Sequence, residues 1–506
     1  MRDWLESSGF WVLLIAFGAV VALAGLIAVL RRQGAETPPS PLPRPDDTPP
    51  SRRAELPRQD APTPVERPVT APPREGVGAA SGPLPDRRPW QSADTRKYSA
   101  RERRMEPGAA MPQSAPMAPP AAAPAPGPPA PVPVAGASVG EDKGGYVAVT
   151  VHYGTDRKDS GLAADLGSRY TYERAATDSG QSPMSYGTCL VSIPKTHTVG
   201  GLEDRSWWQW ATWQGRTPDK FVMVVGVTPA TPADFFLTLK AAVARSTKND
   251  AFVFVHGFSV SFADAARRTA QMAFDLKFDG APIMFTWPTP DLSTSLFTSY
   301  TTSESNADLS KERFRQFLQD VLETTGAKTV HLIAHSMGNR IVTDALTQLN
   351  TAETAHLKSQ IGEVILTAPD IDATTFTTVV APRITRFASR VTLYASSKDK
   401  ALEASQGVHS FPRIGEFQSL FSVLPGIDVI DASGVYDAAD GIGHSYYGDS
   451  EPVIGDICYL LSLGERASKR SLTLADALTP GGNPCWSVIK RPLADVYAAI
   501  ASRGTG

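Results

Sequence analysis

The sequence predicts an α/β domain with a doubly wound, mostly parallel sheet, preceded by a transmembrane helix and a disordered tether. Three observations predict this organisation: an uncharged apolar run near the start, a proline-rich stretch after it, and short apolar runs that alternate with helical patterns further on. We therefore expect an anchor at 1–32, a Pro/Ala-rich linker at 33–143 and one folded domain at 144–506.

The anchor is predicted by the run from Phe10 to Leu30, in which every residue is uncharged and most are aliphatic. This run supplies the ~20 residues that a helix needs to cross the hydrocarbon core. Arg31 and Arg32 follow it directly, where a signal peptide would have a small-residue cleavage site, so we predict an uncleaved single-pass anchor. Set against Arg2, this pair favours a cytoplasmic domain. A long tether suits a periplasmic one equally well, and the side of the membrane stays open.

The linker holds 27 of the 43 prolines, between Gln33 and Gly140. A segment so poor in large apolar residues buries too little surface to offset its chain entropy, so we predict a disordered spacer. The alternative is that PxxP-like stretches within it bind a protein partner with an SH3-type domain.

The composition excludes several function classes. A net charge of -3, without a basic run in the folded part, argues against nucleic acid as a partner. Cys189, Cys458 and Cys485 are widely spaced and form no CxxC pair, so neither a disulfide framework nor a zinc site is indicated. Whether one pair is bridged stays open. We expect neither a metal nor an organic cofactor.

The sequence from residue 144 onward predicts alternating strands and helices. Several apolar runs are continuous rather than alternating, which is typical of strands buried on both faces of a parallel sheet. The predicted strands are 146–152, 189–193, 221–227, 251–255, 283–287, 330–334, 364–367, 391–395 and 427–430. The predicted helices are 232–245, 262–276, 310–324, 339–349 and 492–501.

One segment has the features of a nucleophile elbow. An apolar strand runs into Ala334-His-Ser-Met-Gly338 and then into a helix, which is the strand-turn-helix context that an exposed nucleophilic serine requires. Small residues at Ala334 and Gly338 suit a turn that brings neighbouring backbone close. We predict Ser336 as the nucleophile, with the backbone N–H of Met337 facing the developing oxyanion. The alternative role for Ser336 is to cap the following helix.

A second strand ends in His256-Gly257-Phe258. In folds with a nucleophile elbow, this earlier loop supplies the second oxyanion donor, so we predict the backbone N–H of Phe258 for that role. His256 precedes the nucleophile in the chain, against the order Ser, acid, His of such folds. We therefore expect His256 to shape the loop rather than to act as the base.

The acid and the base should follow later strands. Asp370 and Asp399 compete for the acid, and we prefer Asp399 because it takes the commoner position when strands are counted from the His-Gly loop. We predict His444 as the base, since it lies on a glycine-containing loop after the last predicted strand. His409 is the weaker rival, because it precedes that strand.

Several segments together resemble a bacterial family of largely uncharacterised, esterase- or lipase-like α/β-hydrolases. They span most of 146–447 and include Val255-His-Gly-Phe258, Phe285-Thr-Trp-Pro288, Ala334-His-Ser-Met-Gly-Asn-Arg340, Ala368-Pro-Asp-Ile-Asp372 and Gly443-His-Ser-Tyr446. Segments 153–157 and 187–194 look like the upstream blocks of that family.

The resemblance implies the α/β-hydrolase fold and a serine hydrolase site at Ser336 and His444, and it keeps Asp370 and Asp372 in contention for a role. Together the features predict a carboxylic-ester hydrolase tethered to a bacterial inner membrane, acting on a small-molecule or lipid ester. Two alternatives stay open. One is a catalytically vestigial scaffold that binds a partner at the membrane, and the other is a thioesterase or peptidase with the same triad.

Overall fold

The computed structural model describes residues 140–161, 166–176, 183–202, 217–290, 296–388, 390–409, 411–419, 424–435 and 444–503. The predicted anchor, and the linker up to residue 139, lie outside the described residues and stay predictions. Among the helices that the structure does describe, none combines the length and apolar character needed to cross a bilayer.

The strands of the described chain extend and supplement those predicted from the sequence. They are β1 Glu141–Asp142, β2 Tyr146–Thr155, β3 Arg157–Asp159, β4 Tyr170–Arg174, β5 Ser185–Pro194, β6 Met223–Ala230, β7 Asp250–Val255, β8 Ala281–Thr286, β9 Thr329–His335, β10 Ile361–Thr367, β11 Arg390–Ala395, β12 Ile427–Asp431, β13 Leu474–Leu478 and β14 Pro484–Val488.

Twelve of these strands form one sheet in the order β13-β14-β12-β11-β10-β9-β7-β8-β2-β5-β6, with β1 beside β2. Strands β3 and β4 pair antiparallel in a separate two-stranded sheet. All neighbours from β14 to β2 along this order run parallel. The outer pairings of β1, β5, β6 and β13 are antiparallel. The predicted α/β fold with a mostly parallel sheet is therefore confirmed.

The central strands are apolar throughout because each of their faces is covered. Along β7, Ala251, Val253 and Val255 pack into one hydrophobic cluster, while Phe252 and Phe254 pack into the cluster on the other face. Side chains alternate between the faces of a strand, so a continuous apolar run supplies two cores at once.

Helices cover both faces, as a doubly wound sheet requires. The helices are α1 Pro232–Arg245, α2 Phe262–Asp275, α3 Leu296–Thr324, α4 Gly338–Gln348, α5 Ala373–Thr375, α6 Ala381–Phe387, α7 Lys400–His409, α8 Tyr446–Asp449, α9 Glu451–Leu463 and α10 Leu493–Arg503. A π-helix, Phe376–Val380, joins α5 to α6. Helices α1, α3, α4 and α6 contribute to the first hydrophobic cluster, and α2, α9 and α10 contribute to the second.

Local sequence sets several helix ends. Thr231 caps α1 by accepting a hydrogen bond from the Asp234 N–H, and proline at position 232 starts the helix. Ser261 caps α2 in the same way through the Asp264 N–H. Helix α9 ends at Gly464, whose φ of 61° is in the left-handed region that glycine adopts without strain.

Several elements differ from the sequence-based expectation. Helix α3 begins at Leu296 rather than at 310, because its Ser/Thr-rich first half has no clear apolar period and is held by tertiary contacts such as the burial of Tyr300. Helix α9 and the β13-β14 hairpin were not predicted, so β12 is not the last strand. Strand β1 lies within the range expected to be linker.

The cysteines lie in different parts of this fold. Cys189, Cys458 and Cys485 are all buried free thiols. The sequence left open whether two of these cysteines form a disulfide, and in this structure none of the three does.

Candidate active site

The sheet order brings the sequence-predicted site residues to one edge. Strands β7, β9, β10 and β11 are neighbours and parallel, so their carboxyl ends meet there. The segments that follow these strands carry, in sheet order from β7, residues Phe258, Ser336, Asp370 and Asp399. Ligands and catalytic groups in open α/β sheets collect at this edge.

Ser336 has the backbone conformation of a nucleophile elbow. It follows the last residue of β9 with a φ of 52°, and its side chain is buried, at 4% exposure. A positive φ at a non-glycine residue costs about 1–3 kcal/mol and persists only where the surroundings impose it. Met337 then returns to helical angles and leads into α4.

Hydrogen bonds on both sides of Ser336 impose this conformation. Its N–H donates to the Thr367 carbonyl at 3.0 Å, and its own carbonyl accepts from the Asp370 N–H at 3.2 Å. The fully buried Asn339 side chain donates Nδ2 to the carbonyls of Ser336 and Thr367, at 2.9 and 3.0 Å. The end of β10 and the first turn of α4 therefore clamp the elbow.

Close packing explains why small residues stand at the elbow. A Cβ on Gly338 would lie 2.4 Å from the carbonyl oxygen of His256, and a Cβ on Gly257 would lie 2.8 Å from Cβ of Ser336. Both contacts are closer than real Cβ atoms come. The His-Gly loop after β7 therefore lies directly against Ser336.

Two backbone N–H groups border the elbow as predicted oxyanion donors. Within the described part of the chain, neither the Met337 N–H nor the Phe258 N–H donates to another protein atom. Met337 is at the start of α4, where N–H groups have no partner inside the helix. Backbone donors of this kind, fixed before reaction, stabilise a developing oxyanion without reorganisation.

The predicted base and the preferred acid lie together. His444 Nδ1 is 2.8 and 2.9 Å from the two carboxylate oxygens of Asp399. The Asp399 side chain is fully buried, and it also accepts a hydrogen bond from the Leu402 N–H at the start of α7. A carboxylate in this position keeps the Nδ1–H tautomer of the imidazole and leaves Nε2 as the proton acceptor.

Aromatic residues fix the segment that carries His444. His335 Nε2 donates to the His444 carbonyl at 3.0 Å, and the His335 ring stacks on Tyr447 with a centroid distance of 4.4 Å. Burial, together with the nearby charge of His444, holds the pKa of His335 well below its usual range. The Tyr446 hydroxyl donates to the Tyr394 carbonyl at 2.9 Å. Through the hydrogen bond from His335, the backbone of His444 is connected to the residue that precedes Ser336.

Ser336 and His444 are not joined by a hydrogen bond among the described residues. Hydrogen bonds between nucleophile and base are often long in unliganded sites and shorten once substrate is bound. The structure therefore brings together Asp399 with His444, and the His444 backbone with the elbow. The link from nucleophile to base stays a prediction.

Asp370, the rival acid, has different partners. Its carboxylate accepts from the hydroxyls of Tyr300 and Ser405 and forms ion pairs with Arg413 at 3.2 Å and Arg340 at 3.5 Å. Burial raises its pKa, but the two arginines and the two hydroxyls outweigh burial and hold the pKa below its ordinary value. No histidine is among these partners. The helix that follows is capped by Asp372, which accepts from the Thr375 N–H at 2.7 Å.

The other two histidines considered as bases are placed differently. His256 is buried, and its ring stacks on Trp287 at an interplanar angle of 3°, in agreement with the loop-shaping role expected from its chain position. Burial and then the Arg157 charge hold the pKa of His256 well below its usual range, which keeps the ring neutral. His409 is the last residue of α7, and its side chain lies outside the described residues.

Three residues around the site received no role from the sequence. Asn339 clamps the elbow, His335 holds the His444 segment, and Arg157 lies fully buried behind the His-Gly loop. Asn339 and His335 stand inside the elbow motif, but a motif shows only spacing, not which backbone groups lie within reach. Arg157 comes from a distant part of the chain, about a hundred residues earlier, and only the pairing of β2 with β8 brings it there.

The comparison with family models supports the fold. Residues 233–462 match the model of a family described as an alpha/beta hydrolase of unknown function, DUF900. The match covers the elbow, both aspartates and His444, and it begins after the upstream segments at 153–157 and 187–194. No curated protein sequence matches the chain.

Solved structures with some similarity include esterases. A carboxylesterase from Bacillus subtilis is 10% identical with a TM-score of 0.24, covering 43% of this chain and 84% of that one. An esterase from Pyrococcus furiosus is 12% identical with a TM-score of 0.23, covering 37% and 75%. A hydrolase from Oleispira antarctica is 12% identical with a TM-score of 0.24, covering 41% and 92%. Identities and scores this low say nothing about the substrate of this chain.

Proposed function

We propose that the protein is a serine hydrolase that cleaves carboxylic esters. Residues 233–462, which match the model of an alpha/beta hydrolase family of unknown function, carry the residues of the proposed site. In this proposal Ser336 is the nucleophile, His444 the general base and Asp399 the acid of the triad. The N–H groups of Met337 and Phe258 form the oxyanion hole.

The observations that support the proposal are the strained conformation of Ser336 and the hydrogen bond between His444 and the buried Asp399. Ser336 has a φ of 52° between β9 and α4, and His444 Nδ1 lies 2.8 Å from the buried Asp399 carboxylate. A serine that only capped α4 would adopt extended angles and bond an N–H of the first helical turn. The positive φ instead matches the turn that exposes a nucleophile.

The mechanism follows from these positions. His444 Nε2 takes the hydroxyl proton as Ser336 Oγ attacks the ester carbonyl, and Asp399 stabilises the imidazolium. The oxyanion of the tetrahedral intermediate accepts hydrogen bonds from the N–H groups of Met337 and Phe258. The imidazolium then protonates the departing alkoxide. Water, activated by the same base, releases the acid and regenerates Ser336.

The proposal also includes attachment to a membrane and a lipid or small-molecule ester as the substrate. A helix at 1–32 and a tether from residue 33 to residue 139, before β1, would hold the domain near a bilayer, where lipid esters or small esters partitioned into lipid are reached. The Pro-rich tether is also the part of the chain suited to a protein partner.

The test is covalent labelling of the full-length chain with a fluorophosphonate probe, which reacts with activated serines. Wild type is compared with Ser336→Ala and His444→Ala. Ser192→Ala is the matched control, because Ser192 is equally buried in β5 and its hydroxyl bonds the Phe221 carbonyl. We expect labelling of wild type and the control, and loss of labelling in the other two variants.

The outcomes separate the alternatives. A folded wild type that resists labelling contradicts the proposal and favours the scaffold. Labelling that survives Ser336→Ala contradicts the choice of nucleophile. Turnover of matched oxygen esters, thioesters and amides then distinguishes an esterase from a thioesterase or a peptidase, because one triad serves all three bonds.

A further inference from the structure

Arg157 is a fully buried cation behind the His-Gly loop. Its Nη2 donates to the Val260 carbonyl at 2.6 Å and lies 3.3 Å from His256 Nε2, and its Nε donates to Thr286 Oγ1 at 2.9 Å. Among the described residues, no carboxylate forms an ion pair with it. Burial, opposed chiefly by the charge of Asp156, lowers the pKa of Arg157 to about 10, so the guanidinium stays charged at neutral pH.

The partners of His256 determine its tautomer. The backbone N–H of Trp287 points at Nε2 from 3.1 Å, and a backbone N–H only donates, so Nε2 carries the lone pair. The proton is therefore on Nδ1, which donates to the Gly257 carbonyl at 2.8 Å. Arg157 Nη2 lies 3.3 Å from the same Nε2, and its positive charge disfavours protonation of that nitrogen.

This hydrogen bond orients one particular peptide group. The Gly257 carbonyl and the Phe258 N–H belong to the same planar trans peptide, so they point in opposite directions. A carbonyl held toward His256 directs the N–H of Phe258 away from it. That N–H is the predicted oxyanion donor, and the Gly257 backbone lies against Ser336.

The loop is thus pinned on both sides of the donor. His256 holds the Gly257 carbonyl, and Arg157 holds the Val260 carbonyl. Between these two points Ser259 has a φ of 54°, a conformation that a released loop would not keep. We propose that Arg157 and His256 are positioning residues that aim the Phe258 N–H at the reacting carbonyl.

The proposal adds a part of the chain to the active centre. Arg157 lies in β3, upstream of residues 233–462, which match the hydrolase family. It rests on the proposed function, because the aimed N–H matters only if an oxyanion forms beside Ser336. It makes the upstream strands a requirement for catalysis rather than an addition to the fold.

The experiment replaces Arg157 in the full-length chain by Met and by Lys. Arg267→Met is the matched control, because Arg267 is also buried and donates to backbone carbonyls, those of Val222 at 2.7 Å and Leu202 at 3.1 Å. The rate constant of fluorophosphonate labelling is measured per reactive site, together with kcat and KM for a soluble ester.

We expect Arg157→Met to lower kcat and the labelling rate constant by about 10- to 100-fold with little change in KM, since one well-aimed oxyanion donor contributes about 10²- to 10³-fold. Arg157→Lys should recover part of the rate, because an ammonium still reaches the Val260 carbonyl. Arg267→Met should lower the melting temperature without lowering the rate per reactive site.

A second readout does not depend on activity. The Val260 N–H donates to Thr289 Oγ1 at 3.1 Å, so its hydrogen exchange reports whether the loop is held. We expect faster exchange at Val260 in Arg157→Met but not in Arg267→Met. If wild type reacts with the probe, and both Arg157 variants label and turn over ester at the wild-type rate, the inference is overturned while the proposed function stands. Unreactive wild type overturns the proposed function, and unchanged exchange at Val260 then overturns the positioning role as well.

Discussion

Asp370 and Asp399 follow neighbouring strands, and both are buried, yet their surroundings differ. Asp399, after β11, meets the imidazole of His444 and the first turn of α7. Asp370, after β10, meets two arginines and two hydroxyls. The first carboxylate has a partner that can carry a proton to and from a substrate, whereas the second is neutralised by guanidinium groups that do not titrate.

The difference teaches that chain position alone does not select the acid of a triad. Either aspartate stands at the carboxyl edge, within the range of positions that this fold uses. Their partners come from elsewhere in the chain. Asp399 contacts His444, whereas the partners of Asp370 lie in α3, α4 and α7 and at Arg413. Substitution of each aspartate should therefore affect a different property.

The largest effect is expected for Asp399→Asn. The amide no longer holds the Nδ1–H tautomer of His444, so turnover should fall by roughly 10⁴-fold, with little change in the folded structure. Steady-state kinetics with a soluble ester measure it. Near-normal turnover by Asp399→Asn would remove this residue from the triad.

Asp370→Asn should act on stability instead. Removal of the charge leaves Arg340 and Arg413 facing a neutral amide, and loss of one partner from a buried ion pair costs about 3 kcal/mol. Urea unfolding measures the change, and the folded fraction should keep turnover within a few-fold of wild type. A 10³-fold loss of turnover at unchanged stability would exchange the roles of the two aspartates.

The pH dependence of stability provides the control for the Asp370 prediction. Because the folded state holds the pKa of Asp370 below its ordinary value of 3.8, the charged carboxylate stabilises the fold above that value. The stabilisation is lost as the pH falls through the lowered pKa. The stability difference between wild type and Asp370→Asn should therefore shrink below pH ~4. A difference that grows with acid would contradict the lowered pKa.

The smallest effect is expected for Asp372→Ala, which removes the side-chain cap from the Thr375 N–H. Loss of an N-cap costs about 1 kcal/mol, and turnover should not change. Asp476→Ala, at an exposed position of β13, is the matched control and should not change the melting temperature. A large loss of activity in Asp372→Ala would give this carboxylate a role in the site.

Much of the fold follows from local pattern. The continuous apolar runs predicted the central parallel strands because those strands are buried on both faces. Helix α1 was predicted with the bounds that the structure has, since Thr231 and proline 232 mark its start. The first half of α3 was missed because its helical state depends on burial of Tyr300 and Ala307, not on an apolar period. Strands β13 and β14 were missed because they are short and half exposed at the sheet edge.

The sequence by itself determined the elbow, the His-Gly loop and the set of candidate acids and bases, because short motifs dictate local backbone geometry. Tertiary structure alone decided which aspartate meets His444 and which meets two arginines. It also decided that Arg157 lies behind the Phe258 N–H. Such contacts join residues about 30 to 103 positions apart, and only the order and direction of the strands determine which of them come within hydrogen-bonding distance.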